Sequence, residues 1–136
     1  MKFYAPSAAQ LVGRFLLSAI FILSGLHKIS APGPTIAYIT AGGLPFPAIA
    51  YAVSVVIELG GGACILLGLQ TRLVGLIMAI FCLITGVMFH YHPGDDGQMI
   101  NYMKNLCMAG GFLQLFAVGG GAFTIDALIR RKTVII

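Results

Sequence analysis

Few side chains in this sequence can move a proton or hold an anion, and those few are regularly spaced. The chain has four acidic residues and three histidines among 136. Glu58 stands alone in the apolar run 47–68, and His90 comes near the end of the run 73–91. A carboxyl group and an imidazole so placed suit proton transfer, and are the candidate catalytic pair. Arg14, Lys28, Lys104 and Asn105 supply N–H donors that can grip a carbonyl oxygen or an anion, and are the candidate binding set. Tested against the helical period, Arg14, Ser18, Phe21, Gly25 and Lys28 are spaced 4, 3, 4 and 3. Tyr51, Ser54, Glu58 and Gly61 follow at 3, 4 and 3, and Gly75, Ala79, Cys82, Gly86 and His90 form a third series. Lys104, Cys107, Gly111 and Gln114 form a fourth, with Asn101 and Asn105 beside it. Each series is one face of a helix.

A metal centre is the obvious competitor, because "FHYHPGDDG" crowds two histidines and two aspartates together. His90 and His92 are two residues apart, so on a helix they diverge by about 200°. Pro93 stops a helix, and the proline, glycine and aspartates that follow make a turn. The stretch therefore divides: residues 92–97 form a turn, and His90 alone joins the inward stripe. Cys64, Cys82 and Cys107 fall in three different apolar runs with no CxxC spacing. They read as buried free thiols. The sequence offers no metal, haem or iron–sulfur ligand pattern.

The elements that must hold these stripes follow from composition. Hydrophobic residues are 59% of the chain and charged residues 9%, with a mean hydropathy of +0.98. A soluble domain of this size has too little interior for so much apolar surface, and the same numbers exclude disorder. A span needs about 20 mostly apolar residues. Four are expected, at about 10–29, 47–68, 73–91 and 100–123, making one domain over residues 1–136. The fold class expected is an all-α membrane protein, an antiparallel bundle of four transmembrane helices. Segment 30–46 and the 92–97 turn are read as loops. The first run is read as a retained helix, since Arg14 interrupts its start and "ISAP" puts a proline at the only cut site. The paired and tripled glycines read as places where helices pack closely. Lys2, Arg14, Arg72 and the Arg130–Lys132 cluster outnumber Lys28 and Lys104 on the other side. Both termini are therefore expected in the cytoplasm. The net charge of +4 is not gathered into a patch, so the bilayer is the expected partner and nucleic acid is not.

Depth then assembles the stripes. Glu58 lies 11 residues beyond Pro47, roughly 16 Å along a helix and close to mid-bilayer. Lys28, His90 and Lys104 sit near the outward ends of their helices. The expectation is an outward-facing polar pocket with Glu58 at its floor, bases around its mouth and Arg14 reaching Glu58 from below. A charge costs at least about 2.5 kcal/mol at mid-bilayer, so such residues are functional candidates.

With these residues placed, the sequence resembles the DoxX family of small four-helix membrane proteins. The resemblance rests on "GRFLLSAIFILSGLHKI", "ELGGGACILLGLQTRLVG" and "FHYHPGDDGQMINYMKNLCMAGGFLQLFAVGGGAFTIDAL". The pattern carries over to Arg14, Lys28, Glu58, Arg72, His90, Lys104, Asn105 and Asp126, the Arg72 and Asp126 positions being expected to form a structural ion pair. It implies a redox-linked role in the cytoplasmic membrane of a bacterium or archaeon, as in relatives described as membrane subunits of a thiosulfate:quinone oxidoreductase. The leading expectation is a subunit that binds a quinone or a small anionic sulfur substrate. The alternatives are a non-catalytic adaptor for a soluble oxidoreductase, and a small-solute transporter. A homo-oligomer fits any of the three.

Overall fold

The computed structural model describes residues 5–133, and side chains from residue 7 to residue 131. Lys2 lies outside the described residues. All regular structure among them is helical. Helix α1 is Ala5–Ser30, α2 is Pro32–Ala41 and α3 is Pro47–Leu67. Helix α4 is Thr71–His90, α5 is Asp96–Val118 and α6 is Ile125–Thr133.

Three of these, Ser7–Ser30 within α1, then α3 and α4, are long and apolar enough to cross a membrane. Helix α5 is of similar length but carries Asp96, Gln98, Asn101, Lys104, Asn105 and Gln114. Segment 30–46, expected as a loop, contains α2. Pro32 and Pro34 read as helix breakers, yet Pro32 occupies the first helical position of α2, where its missing N–H costs nothing. Helix α5 begins at Asp96, four residues before the expected start of its span, because Asp95 caps it by accepting from the Gln98 amide at 3.0 Å. It ends at Val118 and not at residue 123, since Gly119 and Gly121 take positive φ and turn the chain.

The α3–α4 turn is tight. Gly68 is left-handed at φ 70°, and the Leu69 amide donates back to the Cys64 carbonyl at 2.9 Å. This pattern ends a helix with its last carbonyls satisfied. Glycines set the close helix pairs. Gly25 of α1 lies on Leu59 and Glu58 of α3, and Gly75 of α4 on the backbone of Phe112 and Phe116 in α5. Small residues permit this approach where lipid supplies little drive for helices to associate. Between the pairs sits a core of Phe21, Ile65, Met78, Cys82 and Phe112. The Phe21 and Phe112 rings meet edge to face at 5.4 Å. Leu16, Leu23, Val56 and Leu73 face outward, as a lipid-facing surface requires.

Candidate functional site

The site is built on a defect in α3. Residues Ile57–Gly61 form a π turn, with α-helix before and after it. Such turns add a residue to one helical turn and often mark functional positions. Glu58 sits on it, and only 7% of its side chain is exposed. From α1, the Lys28 ammonium donates to both carboxylate oxygens, at 2.7 and 2.8 Å, and to Ser24 Oγ at 3.0 Å. Those three contacts employ all three of its protons. Tyr51 donates to the Lys28 carbonyl at 3.1 Å, beside the longer bond of 3.3 Å that this carbonyl receives from the Ala31 amide at the end of α1.

This pair borders a cavity of about 600 Å³ enclosed by α1, α2, α3, α4 and α5, within the usual range for small-molecule sites. Most of its wall is Ile, Phe, Met and Val. Lys28, Glu58, His90 and Asn105 are all among its lining residues. His90 ends α4, and its Nδ1 meets Gln98 Oε1 at 2.8 Å. The amide oxygen can only accept, so this contact takes a proton from Nδ1. Asn105 donates through Nδ2 to the Asn101 carbonyl at 3.1 Å, and its Oδ1 lies 3.5 Å from Thr85 Oγ1. The cavity is thus largely apolar, with one ion pair, His90, Asn105 and the hydroxyls of Ser24, Thr35, Tyr38, Ser54 and Thr85 on its wall.

Two residues of the expected binding set stand elsewhere. Arg14 is fully buried but does not reach Glu58. Its guanidinium donates to the Ile65 and Leu66 carbonyls at 3.1 and 3.0 Å, and to that of Phe123. The Ile65 and Leu66 carbonyls close α3 about seven residues past Glu58, roughly 10 Å along the axis, and Phe123 lies just before α6. A cation there satisfies the open C-terminal acceptors and matches the helix dipole. Lys104 lies on the exposed face of α5, its Nζ 3.5 Å from Asn101 Oδ1, and does not line the cavity. Nor is Asp126 paired with Arg72. Its carboxylate caps α4, accepting from the Gln70 and Thr71 amides and the Thr71 hydroxyl, each at 2.8 Å. Burial pushes this carboxyl up, but the Thr71 and Gln70 donors and the Arg130 charge outweigh it and hold it below its ordinary value.

Among the described residues no three His, Cys, Asp or Glu side chains gather as metal ligands. The His92 amide donates to the His90 carbonyl at 2.9 Å, so the second histidine belongs to the turn. All three thiols are free; Cys82 is buried, whereas Cys107, expected to be buried, is exposed. Sequence reasoning passed over Ser24 and Gln98. Ser24 stands four residues before Lys28, the spacing at which helical side chains meet. Gln98 stands three after the capping Asp95, where a side chain can fold back toward the preceding turn.

The family model for DoxX matches residues 9–91. The chain is 38% identical over 122 residues to Inner membrane protein YqjF of Escherichia coli (strain K12), covering 90% of this chain and 92% of that one. It is 33% identical over 121 residues to Inner membrane protein YphA of the same organism, covering 85% and 86%. No solved structure matches it.

Proposed function

This chain belongs to the DoxX family, and we propose that it is an inner-membrane protein binding a quinone headgroup between its helices. In this reading α5 is a fourth span, the bundle is antiparallel, and both termini lie in the cytoplasm with Arg72, Arg130 and Arg131. One observation carries the ligand class: the Lys28–Glu58 pair, self-neutralising, on the wall of a largely apolar cavity.

Of the two substrate classes the sequence suggests, this favours the quinone. A small sulfur anion would meet the Glu58 carboxylate beside the Lys28 ammonium, and would be stripped of water by aliphatic walls. A neutral ring with carbonyl oxygens needs a donor and apolar surroundings. The cavity wall gives the second, and Lys28 gives the first by turning one N–H from Ser24 to the ligand. Reduction of a quinone to a quinol takes two electrons and two protons. Lys28, Glu58 and His90 are the groups that hold and pass protons here. The electrons come from a partner oxidoreductase. Helix α6, with Arg130 and Arg131 exposed beside Leu128 and Ile129, is the surface on which such a partner docks.

The test is native mass spectrometry of protein released from mild detergent. A stoichiometric neutral adduct with the mass of a prenylated quinone is expected. Repeated preparations with no such adduct, together with no thermal shift on adding quinone analogues, would sink the proposal.

A further inference from the structure

The cavity is closed at one end and open at one side. The closed end is where α2 lies. Ile39 is buried, Tyr38 stacks on Phe89 of α4 with centroids 5.4 Å apart, and Gly42 leaves the room that the Phe89 ring occupies. The open side lies between α3 and α4. These helices touch where Gly61 meets Met78. The first half of α3, Pro47–Val56, packs instead on α1 and α2. Beyond the Gly61–Met78 contact, Val53 on one helix and Ile80 and Ile84 on the other line the cavity while remaining about half exposed, Val53 at 50% and Ile80 at 49%. Ile20 and Tyr38 also line the cavity at 50% and 53% exposed, but Tyr38 is held in its stack on Phe89 and Ile20 stands alone on α1. Val53, Ile80 and Ile84 instead face one another across a gap between two helices, and they mark the mouth. Ile80 and Ile84 stand in the middle of Thr71–His90, so the mouth opens at hydrocarbon depth and its rim is aliphatic.

Resting on the quinone reading, we infer that this gap is a lateral portal and a second subsite. The ligand carries a hydrocarbon chain, enters headfirst from the bilayer, and leaves its tail between Val53, Ile80 and Ile84 while α2 shuts the head away from water. Three features agree. The gap is continuous with the polar groups that receive the head. Its rim residues are aliphatic, and the neighbouring Ser54 and Thr85 hydroxyls are turned to the Tyr51 and Phe81 carbonyls of their own helices. The face toward water is covered by a helix whose stacked Tyr38–Phe89 contact must break before a water-borne ligand can enter.

The chain contains no tryptophan, so a single introduced indole both blocks the mouth and reports on it. Protein in nanodiscs is titrated with decylubiquinone and with its tail-less headgroup, 2,3-dimethoxy-5-methylbenzoquinone. Three variants accompany the wild type: Val53→Trp, Ile80→Trp and, as a control on the lipid face away from the cavity, Leu16→Trp. The wild type and Leu16→Trp are expected to bind the tailed quinone about tenfold or more tighter than the headgroup. Val53→Trp and Ile80→Trp are expected to lose that advantage while holding the headgroup as the wild type does. Indole fluorescence in those two, and not in Leu16→Trp, is expected to be quenched by the tailed ligand at stoichiometric concentration. If the wild type binds headgroup and tailed ligand equally, or the mouth variants weaken both alike or neither, the portal is refuted and the quinone reading stands. If the wild type binds neither ligand, the quinone reading itself has failed.

Discussion

The Lys28–Glu58 pair gives the sharpest energetic test. Glu58→Ala removes both acceptors of the Lys28 ammonium, whose side chain is 22% exposed. Removing one partner of a buried pair typically costs about 3–5 kcal/mol, because the other charge stays behind without compensation. Lys28 retains Ser24 and some access to the cavity, so the low end applies, about 3 kcal/mol. Lys28→Met leaves the Glu58 carboxylate, only 7% exposed, and belongs nearer 4 kcal/mol. The double variant removes both charges and adds an apolar side chain to an apolar wall, so it is expected to cost well under the sum, with a coupling of about 2 kcal/mol or more. The assay is thermal unfolding in dodecyl maltoside followed by circular dichroism. At about 2–8 °C per kcal/mol, each single variant is expected to melt roughly 6 °C or more below the wild type, and the double variant above the lower of the two. Costs that add to within about 0.5 kcal/mol would show that the two side chains do not act as a pair, and the reasoning would fall.

Arg14→Met abandons the Ile65 and Leu66 carbonyls at the opposite end of α3 and that of Phe123 before α6; with charged hydrogen bonds worth about 1.5–3 kcal/mol each, it is expected to lower the melting temperature strongly while leaving quinone affinity in the surviving folded fraction unchanged. Asp126→Ala removes the cap of α4 and is expected to cost about 1–2 kcal/mol, read by the same melts. Because the folded Asp126 carboxyl lies below its ordinary value, its contribution is complete above about pH 3.9 and drains as pH falls through the lower folded value; wild type and Asp126→Ala are therefore expected to converge in stability only below that pH. Gly25→Val places a side chain where an added Cβ would lie 2.7 Å from Leu59 Cγ, and overpacking of about 1–3 kcal/mol is expected, seen as a melting shift that Gly13→Val, whose added Cβ meets nothing within 4 Å, does not show.

How much of this was legible in the sequence differs helix by helix. On α1 the buried positions are Arg14, Ser18, Phe21 and Gly25, the series read from spacing, because its polar and small residues recur on one face of an otherwise uniform apolar run. Helix α5 is ambiguous for the opposite reason. Asn105 lines the cavity and Ala109, Phe112 and Leu115 face the core, whereas Lys104, Cys107 and Gln114 of the stripe read from spacing are exposed and only its Gly111 packs inward, on Leu17. Polar residues lie on several faces, so the spacing picked the wrong one. Arg14 was recognisable as a buried cation, but its partner was not. Sequence reasoning sets charge against charge, whereas the unpaired carbonyls at a helix end are acceptors that no residue letter announces. Asp126 repeats the lesson, since it caps backbone amides where an ion pair with Arg72 was expected. The π turn under Glu58 has no sequence signal at all, and α2 was hidden by prolines that begin helices as readily as they end them.

The central claim is that the Lys28–Glu58 pair receives a quinone headgroup. Its most direct test is isothermal titration of decylubiquinone into detergent-solubilised wild type, Glu58→Gln and Lys28→Met, each first shown to be folded by circular dichroism. The account predicts one site per chain in the wild type, with affinity reduced about tenfold or more in both variants. Binding of equal strength in all three, in folded protein, would contradict it.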